Sequence, residues 1–129
     1  MVNRIEAIVD TLSKLNGMGD PSSDAYVLRN PLLMRSFARP GKHETDDNGR
    51  RVFTSLLSGY KAAVFDVQLK LSGQSRAGLK PTDALVNLLG VYGIKELGGI
   101  AAAVKFLKVA LKDSQISKDT PLSYFLTEE

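Results

Sequence analysis

The chain has no cysteine, no tryptophan and a single histidine, His43, among its 129 residues. Without cysteine it can build no disulfide framework, thiolate zinc site, iron–sulfur cluster or cysteine nucleophile. One histidine excludes a multi-histidine metal site within one chain. Five phenylalanines and four tyrosines argue against a large aromatic binding pocket. No apolar run reaches the roughly 18 residues of a membrane-spanning helix, so no membrane partner is expected. The opening residues Val2, Asn3, Arg4, Ile5 and Glu6 lack the basic region and apolar stretch of a secretory signal. The expected address is cytoplasmic.

What is present is ordinary for a globular domain, with 43% hydrophobic and 24% charged residues. A chain of this mass folds to an accessible surface of ~6,700 Å², about a third of its extended value. That suffices for one core, and a single helical domain over residues 1–129 is expected. The net charge of +3 is unevenly spread: −2 over residues 1–28, +6 over 29–80 and −1 over 81–129. Six of the seven arginines fall in the middle segment. Concentrated basic charge points to an anionic partner, against the plainer reading of a solvated surface.

Apolar residues recur with helical spacing along most of the chain. Ile5, Ile8, Val9, Leu12 and Leu15 form one stripe, with Asn3 and Glu6 as a capping box and Gly17 as the stop. Ser22 or Ser23 caps a short helix through Leu28, and Asn30-Pro31 opens another ending near Ala38. Residues 41–48 contain no apolar side chain and read as an exposed polar loop. The longest helix is expected from about Gly49 to Ser72, capped by Asp47 or Asn48 and ended by Gly73. It is apolar on two faces, because Phe65 and Leu69 fall off its main stripe. Such a helix belongs at the centre of a bundle. Pro81 opens a helix that stops at Gly93, and a last long helix runs from about Gly99 to Lys112. Thr120-Pro121 starts a final apolar turn. The sum is an all-α, compact helical bundle of five to seven helices, three of them long.

Chemistry-bearing motifs are weak. Residues 73–80 read G-x-x-x-x-G-L-K, but a phosphate loop needs lysine directly after the second glycine, then a hydroxyl, and a preceding strand. Two glycines ending a helix account for it better. His43, Glu44, Asp46 and Asp47 cluster in the polar loop but lack the register of a calcium loop. A solvated loop also supplies no environment to shift a catalytic pKa. No serine sits in a nucleophile elbow. Neither a catalytic residue, nor a metal ligand, nor a cofactor is assigned, and an enzyme is not expected.

The basic residues are the remaining candidates. Arg50 and Arg51 open the expected long helix, against its dipole. A local conflict of that kind tends to mark a site that serves something else. An anion bound there would gain from the arginines and the free N–H groups together. Arg50, Thr54 and Lys61 would share one flank of that helix. Arg29, Arg35, Arg39, Arg76 and Lys80 lie on loops or short helices that could converge on the same face. Pairing with Asp46, Asp47 and Asp66 is the competing reading. Lys105, Lys108 and Lys112 form a second, one-sided basic stripe opposite the apolar face of the last helix.

Arg50-Arg51-Val-Phe-Thr-Ser-Leu-Leu heading the long helix, the Arg29–Arg39 segment and the lysines at 105–112 together resemble the small helical subunit of Cascade-type CRISPR effector complexes. The likeness covers the architecture of the chain and no signature motif. It implies a non-catalytic subunit of a ribonucleoprotein that serves antiviral defence. Such a subunit contacts single-stranded DNA or RNA through phosphates, without sequence preference. Its partners would be that nucleic acid and other protein subunits, copies of itself among them. The alternative is a helical protein–protein or homo-oligomerisation module with no nucleic-acid role, for which the two-faced long helix speaks. A fragment at Leu89-Gly-Val-Tyr-Gly-Ile-Lys-Glu-Leu, with Lys105-Phe106-Leu107 beyond it, is also similar to small uncharacterised bacterial helical proteins.

Overall fold

The computed structural model describes residues 3–35, 44–74 and 78–126. Six helices follow one another: α1 (Arg4–Leu15), α2 (Asp24–Leu28), α3 (Leu56–Leu71), α4 (Leu85–Val91), α5 (Leu97–Leu111) and α6 (Ser123–Leu126). The described residues contain no strand, only three isolated antiparallel bridges. The chain is thus mostly helical.

α1 begins where Asn3 Oδ1 accepts from the Ile5 and Glu6 amides. It is the hub, packing against α3, α5 and α6. Ala7, Ile8, Val9, Thr11, Leu12 and Ser13 are all buried on it. Its two buried hydroxyls need partners in an apolar setting. Thr11 donates to the Ala7 carbonyl at 2.8 Å and Ser13 to that of Val9 at 2.6 Å. Leu12 joins Val67, Leu71, Leu85, Leu88, Leu89, Leu107, Ile116, Leu122 and Phe125 in one core. The expectation that the two-faced helix sits at the centre is therefore corrected: α1 does. α3 buries Gly59, Ala63, Val67, Lys70 and Leu71, leaves Phe65 of its second apolar line exposed and covers Leu69 only in part.

The boundaries depart from expectation where a turn wins over a helix. α3 starts at Leu56, capped by Ser55, whose Oγ accepts from the Ser58 amide. Residues 49–53 before it are not helical. The helix expected from Pro31 is also missing over 31–35, where Leu33 has φ +53°. Its remainder, to Ala38, lies outside the described residues. Pro81 sits in a turn and α4 begins four residues later. Asn87 Oδ1 there accepts from the Ala84 amide. Glu96 is the N-cap of α5.

The end of the chain closes the core. Leu122 and Phe125 are buried, the Leu85 amide donates to the Thr120 carbonyl, and Leu122 donates to that of Asp83. Arg4 stacks 4.0 Å over the Tyr124 ring and donates to the Tyr124 carbonyl. The Tyr124 hydroxyl donates to Asp113. That bond and the Gln115 amide outweigh partial burial and, with Arg4 adding its charge, hold the Asp113 carboxyl below its ordinary value. A carboxylate with a lowered folded pKa stabilises the fold above its unfolded value, roughly 3.9, and that contribution vanishes as pH falls through the folded value. Tm should therefore drop as pH falls below about 4. Tyr124→Phe should shrink the acid-dependent part of that drop. Parallel curves for the two proteins in a thermal-melt pH series would sink the assignment.

Candidate functional site

Arg50 and Arg51 lie on an extended segment, not at a helix start, so the dipole argument and the flank shared with Lys61 fall away. The cause is a turn at residues 46–49. Asp46 Oδ1 accepts from the Asn48 and Arg50 amides, and Gly49 takes φ +79°. This folds residues 44–46 back on 50–52, with Arg51 bridged to Thr45 and Arg50 to Arg35. The part of the polar loop from Glu44 to Asn48 is thus a hydrogen-bonded turn. His43 lies outside the described residues.

The same turn engages the arginines. Arg50 reaches Asp46 at 2.9 Å and Asp24 at 3.1 Å. Burial pushes the Asp46 carboxyl up, but the Arg50 and Asn48 amides and the Arg50 guanidinium together hold it below its ordinary value. Burial likewise lowers the Arg50 pKa, and its two carboxylate partners more than restore it. Arg51 stacks 4.5 Å from the Phe53 ring centre. Arg35 Nη1 donates to the Asn48 carbonyl at 2.5 Å. The competing reading, pairing with Asp46, holds for Arg50; Asp24 is a partner the sequence did not suggest. Asp66 is paired elsewhere: Lys70 Nζ and the Tyr92 hydroxyl both donate to it at 2.5 Å. Burial, with Asp66 beside it, pushes the Tyr92 hydroxyl far up, and its bond to Asp66 ties the end of α4 to α3.

The other cations are scattered. Arg29, Lys61, Lys80, Lys105, Lys108 and Lys112 are exposed and have no ion-pair partner among the described residues. At 100° per residue Lys105, Lys108 and Lys112 fall on one flank of α5. Lys112 is its left-handed C-cap, φ 52°. Positive charge is favourable at that end of a helix. Arg39 and Arg76 lie outside the described residues. Among the described residues no group of three potential metal ligands forms, and no helix is long and apolar enough to cross a membrane.

Arg29 stands apart from the other cations. It is the C-cap of α2 with φ 52°, and its backbone carbonyl lies directly against Gly59 of α3. A groove of about 310 Å³ opens there, lined by Met18, Pro21, Tyr26, Val27, Arg29 and Leu56. Other apolar side chains nearby in sequence are exposed as well. Val27 is 61% exposed, Leu57 63% and Phe65 62%. Leu57, Lys61 and Phe65 follow one another at four-residue spacing, so they share a face of α3. Sequence periodicity marked Phe65 as off the main stripe. It gave no sign of Met18, Pro21, Tyr26 or Val27, because their meeting with α3 depends on the loop geometry at Arg29.

No family model, curated protein or solved structure matches the chain.

Proposed function

We propose that the chain is a non-catalytic helical binding module whose principal contact is another protein. The observation that supports this reading is the exposed apolar cluster of Tyr26, Val27 and Leu56 at the groove, with Leu57 and Phe65 exposed elsewhere on α3. An exposed apolar cluster such as Met18, Tyr26, Val27 and Leu56 marks an interaction site on a soluble domain. The reading takes the six helices as one compact bundle, three of them long, that holds this face rigid. It acts as a subunit of a larger assembly inside the cell.

The phosphate-binding reading keeps one specific support, the Lys105–Lys108–Lys112 stripe on α5. As a subunit of an assembly like the Cascade-type complexes, the chain would lay that stripe along a single strand of DNA or RNA. Each neutralised phosphate then adds to the salt dependence.

Two surface variants separate the readings. The chain is purified from its native cell as wild type, as Leu57→Asp/Phe65→Asp and as Lys105→Glu/Lys108→Glu/Lys112→Glu. The protein module predicts that a stoichiometric protein partner is lost only from the apolar variant. Retention of that partner by the apolar variant would rule it out. Fluorescence anisotropy with labelled single strands across a salt series tests the other reading. Steep salt dependence that disappears in the lysine variant would make nucleic acid the principal partner.

A further inference from the structure

We propose that Asn48 is a site of spontaneous covalent modification, where the chain converts its own Asn48-Gly49 link to aspartyl and isoaspartyl forms. Of the five asparagines, only Asn16 and Asn48 precede glycine. The pairing matters because glycine has no side chain to block its amide nitrogen from the asparagine Cγ. In the reaction the Gly49 nitrogen gives its proton to water and attacks Asn48 Cγ. An N–Cγ bond forms, the side-chain nitrogen takes up a proton and leaves as ammonia, and a succinimide ring remains. Water then opens either ring carbonyl. Opening at Cγ gives aspartate. Opening at the backbone carbon gives isoaspartate, whose chain runs through Cβ and Cγ.

The fold treats the two sites differently. The glycine amides are alike: Gly17 donates to the Lys14 carbonyl and Gly49 to that of Asp46, both at 3.1 Å. The asparagines are not. Asn16 caps α1, is half-buried and ties its Nδ2 to the Pro31 carbonyl at 3.0 Å. Gly17 is pinned as well, its carbonyl accepting from Ser23 Oγ at 2.6 Å. Ring closure there must first break these ties. Asn48 is exposed, and its side chain makes no hydrogen bond among the described residues. Arg35 adds a chemical push. Its Nη1 donates to the Asn48 carbonyl oxygen, which belongs to the same peptide group as the nitrogen that must lose its proton. A guanidinium there stabilises the negative charge that spreads onto the oxygen. The Asn16 carbonyl has no such donor among the described residues.

The isoaspartyl form puts an extra methylene into the turn that orders the arginines. Asp46 Oδ1 holds the Asn48 and Arg50 amides together at their present separation. A longer chain between them pulls the Arg50 amide off Asp46 and loosens the pairing of residues 44–46 with 50–52. Plain aspartate keeps the chain length and the turn.

The test follows both sites by peptide mapping of the chain aged in neutral buffer at physiological temperature. Asn48 should convert at least about tenfold faster than Asn16. In urea, where the side-chain ties are gone, the two rates should converge. Arg35→Gln should slow Asn48 and leave Asn16 unchanged. Arg35 is exposed, so circular dichroism of the variant should match wild type. A variant that merely loosened the turn would speed the conversion, the opposite sign. Hydrogen exchange should find the Arg50 amide protected in freshly purified Asn48→Asp and unprotected in the isoaspartyl fraction. Asn16 keeping pace with Asn48 in the folded chain overturns the proposal. A difference that persists in urea refutes the part assigned to the fold, and an undiminished rate in Arg35→Gln refutes the part assigned to Arg35. Equal protection of the Arg50 amide in the two products refutes the effect on the turn.

Discussion

Gly59→Ala should lower Tm by about 10 °C, although it replaces glycine by the best helix former inside a helix. On propensity alone the change would stabilise α3 by up to about 1 kcal/mol. Packing reverses the sign. A β-carbon at this position would lie 1.9 Å from the Arg29 carbonyl oxygen, 3.1 Å from its carbon and 3.3 Å from Pro31 Cδ. Those are backbone and ring atoms, which no rotamer change can move aside. The end of α2 must then back away from α3 by more than an ångström, and overpacking of that kind costs about 3 kcal/mol. Gly98→Ala is the control. It is also helical, and a β-carbon there meets nothing within 4 Å. Its Tm should stay level or rise. The consequence reaches the groove, because the contact between Gly59 and Arg29 joins Tyr26 and Val27 to Leu56. An unchanged Tm would mean that α2 does not pack on α3 at Arg29.

The contrast between α1 and residues 30–53 shows what the sequence carries and what it hides. α1 is legible because its stripe, its cap at Asn3 and its stop at Gly17 all agree locally. The limits of α3 at Ser72 and of α4 near Gly93 are legible for the same reason. Residues 49–55 mislead because Val52 and Phe53 continue the helical beat of α3. Nothing local announces that Asp46 will collect the Asn48 and Arg50 amides and turn the chain back. Once it does, Arg50 is drawn between Asp24 and Asp46, and Asp24 comes from a segment over 20 residues away. The arginine pair suggested an anion site, yet the fold spends at least Arg50 on holding itself together. The exposed cations that the sequence did place are those on helix surfaces, such as Lys61, Lys105 and Lys108, where periodicity reveals a face; Arg29 and Lys80 are exposed on a helix cap and a loop, where it does not. The groove was illegible because its walls come from a loop, a five-residue helix and the first turn of α3.

Asn30→Ala should cost about 3 kcal/mol or more, because this one side chain holds three backbone groups together. Asn30 is fully buried. Its Nδ2 donates to the Met34 carbonyl at 2.9 Å and the Arg51 carbonyl at 3.0 Å, while Oδ1 accepts from the Met34 amide at 2.9 Å. It was expected to cap a helix. In the fold it closes a tight turn onto the extended segment, and that bonding replaces the helix that Pro31 would have opened. Alanine leaves the Met34 amide and the Arg51 carbonyl short of partners in a part-buried site, each at about 1–3 kcal/mol. Asn30→Asp is the sharper variant. It keeps the acceptor for Met34 but aims a carboxylate at two carbonyl oxygens, so its folded pKa must rise. An acid with a raised folded pKa is stabilised by protonation, so this variant should gain stability, relative to wild type, as pH falls toward 4, the opposite of the Asp113 effect. Hydrogen exchange would locate the damage. The Arg51 amide, which donates to the Met34 carbonyl at 2.9 Å, should exchange much faster in Asn30→Ala. Amides of α1 should change only in proportion to global stability. If instead every amide speeds up equally, the segment carrying Arg35, Arg50 and Arg51 folds together with the helical core and is no separate unit.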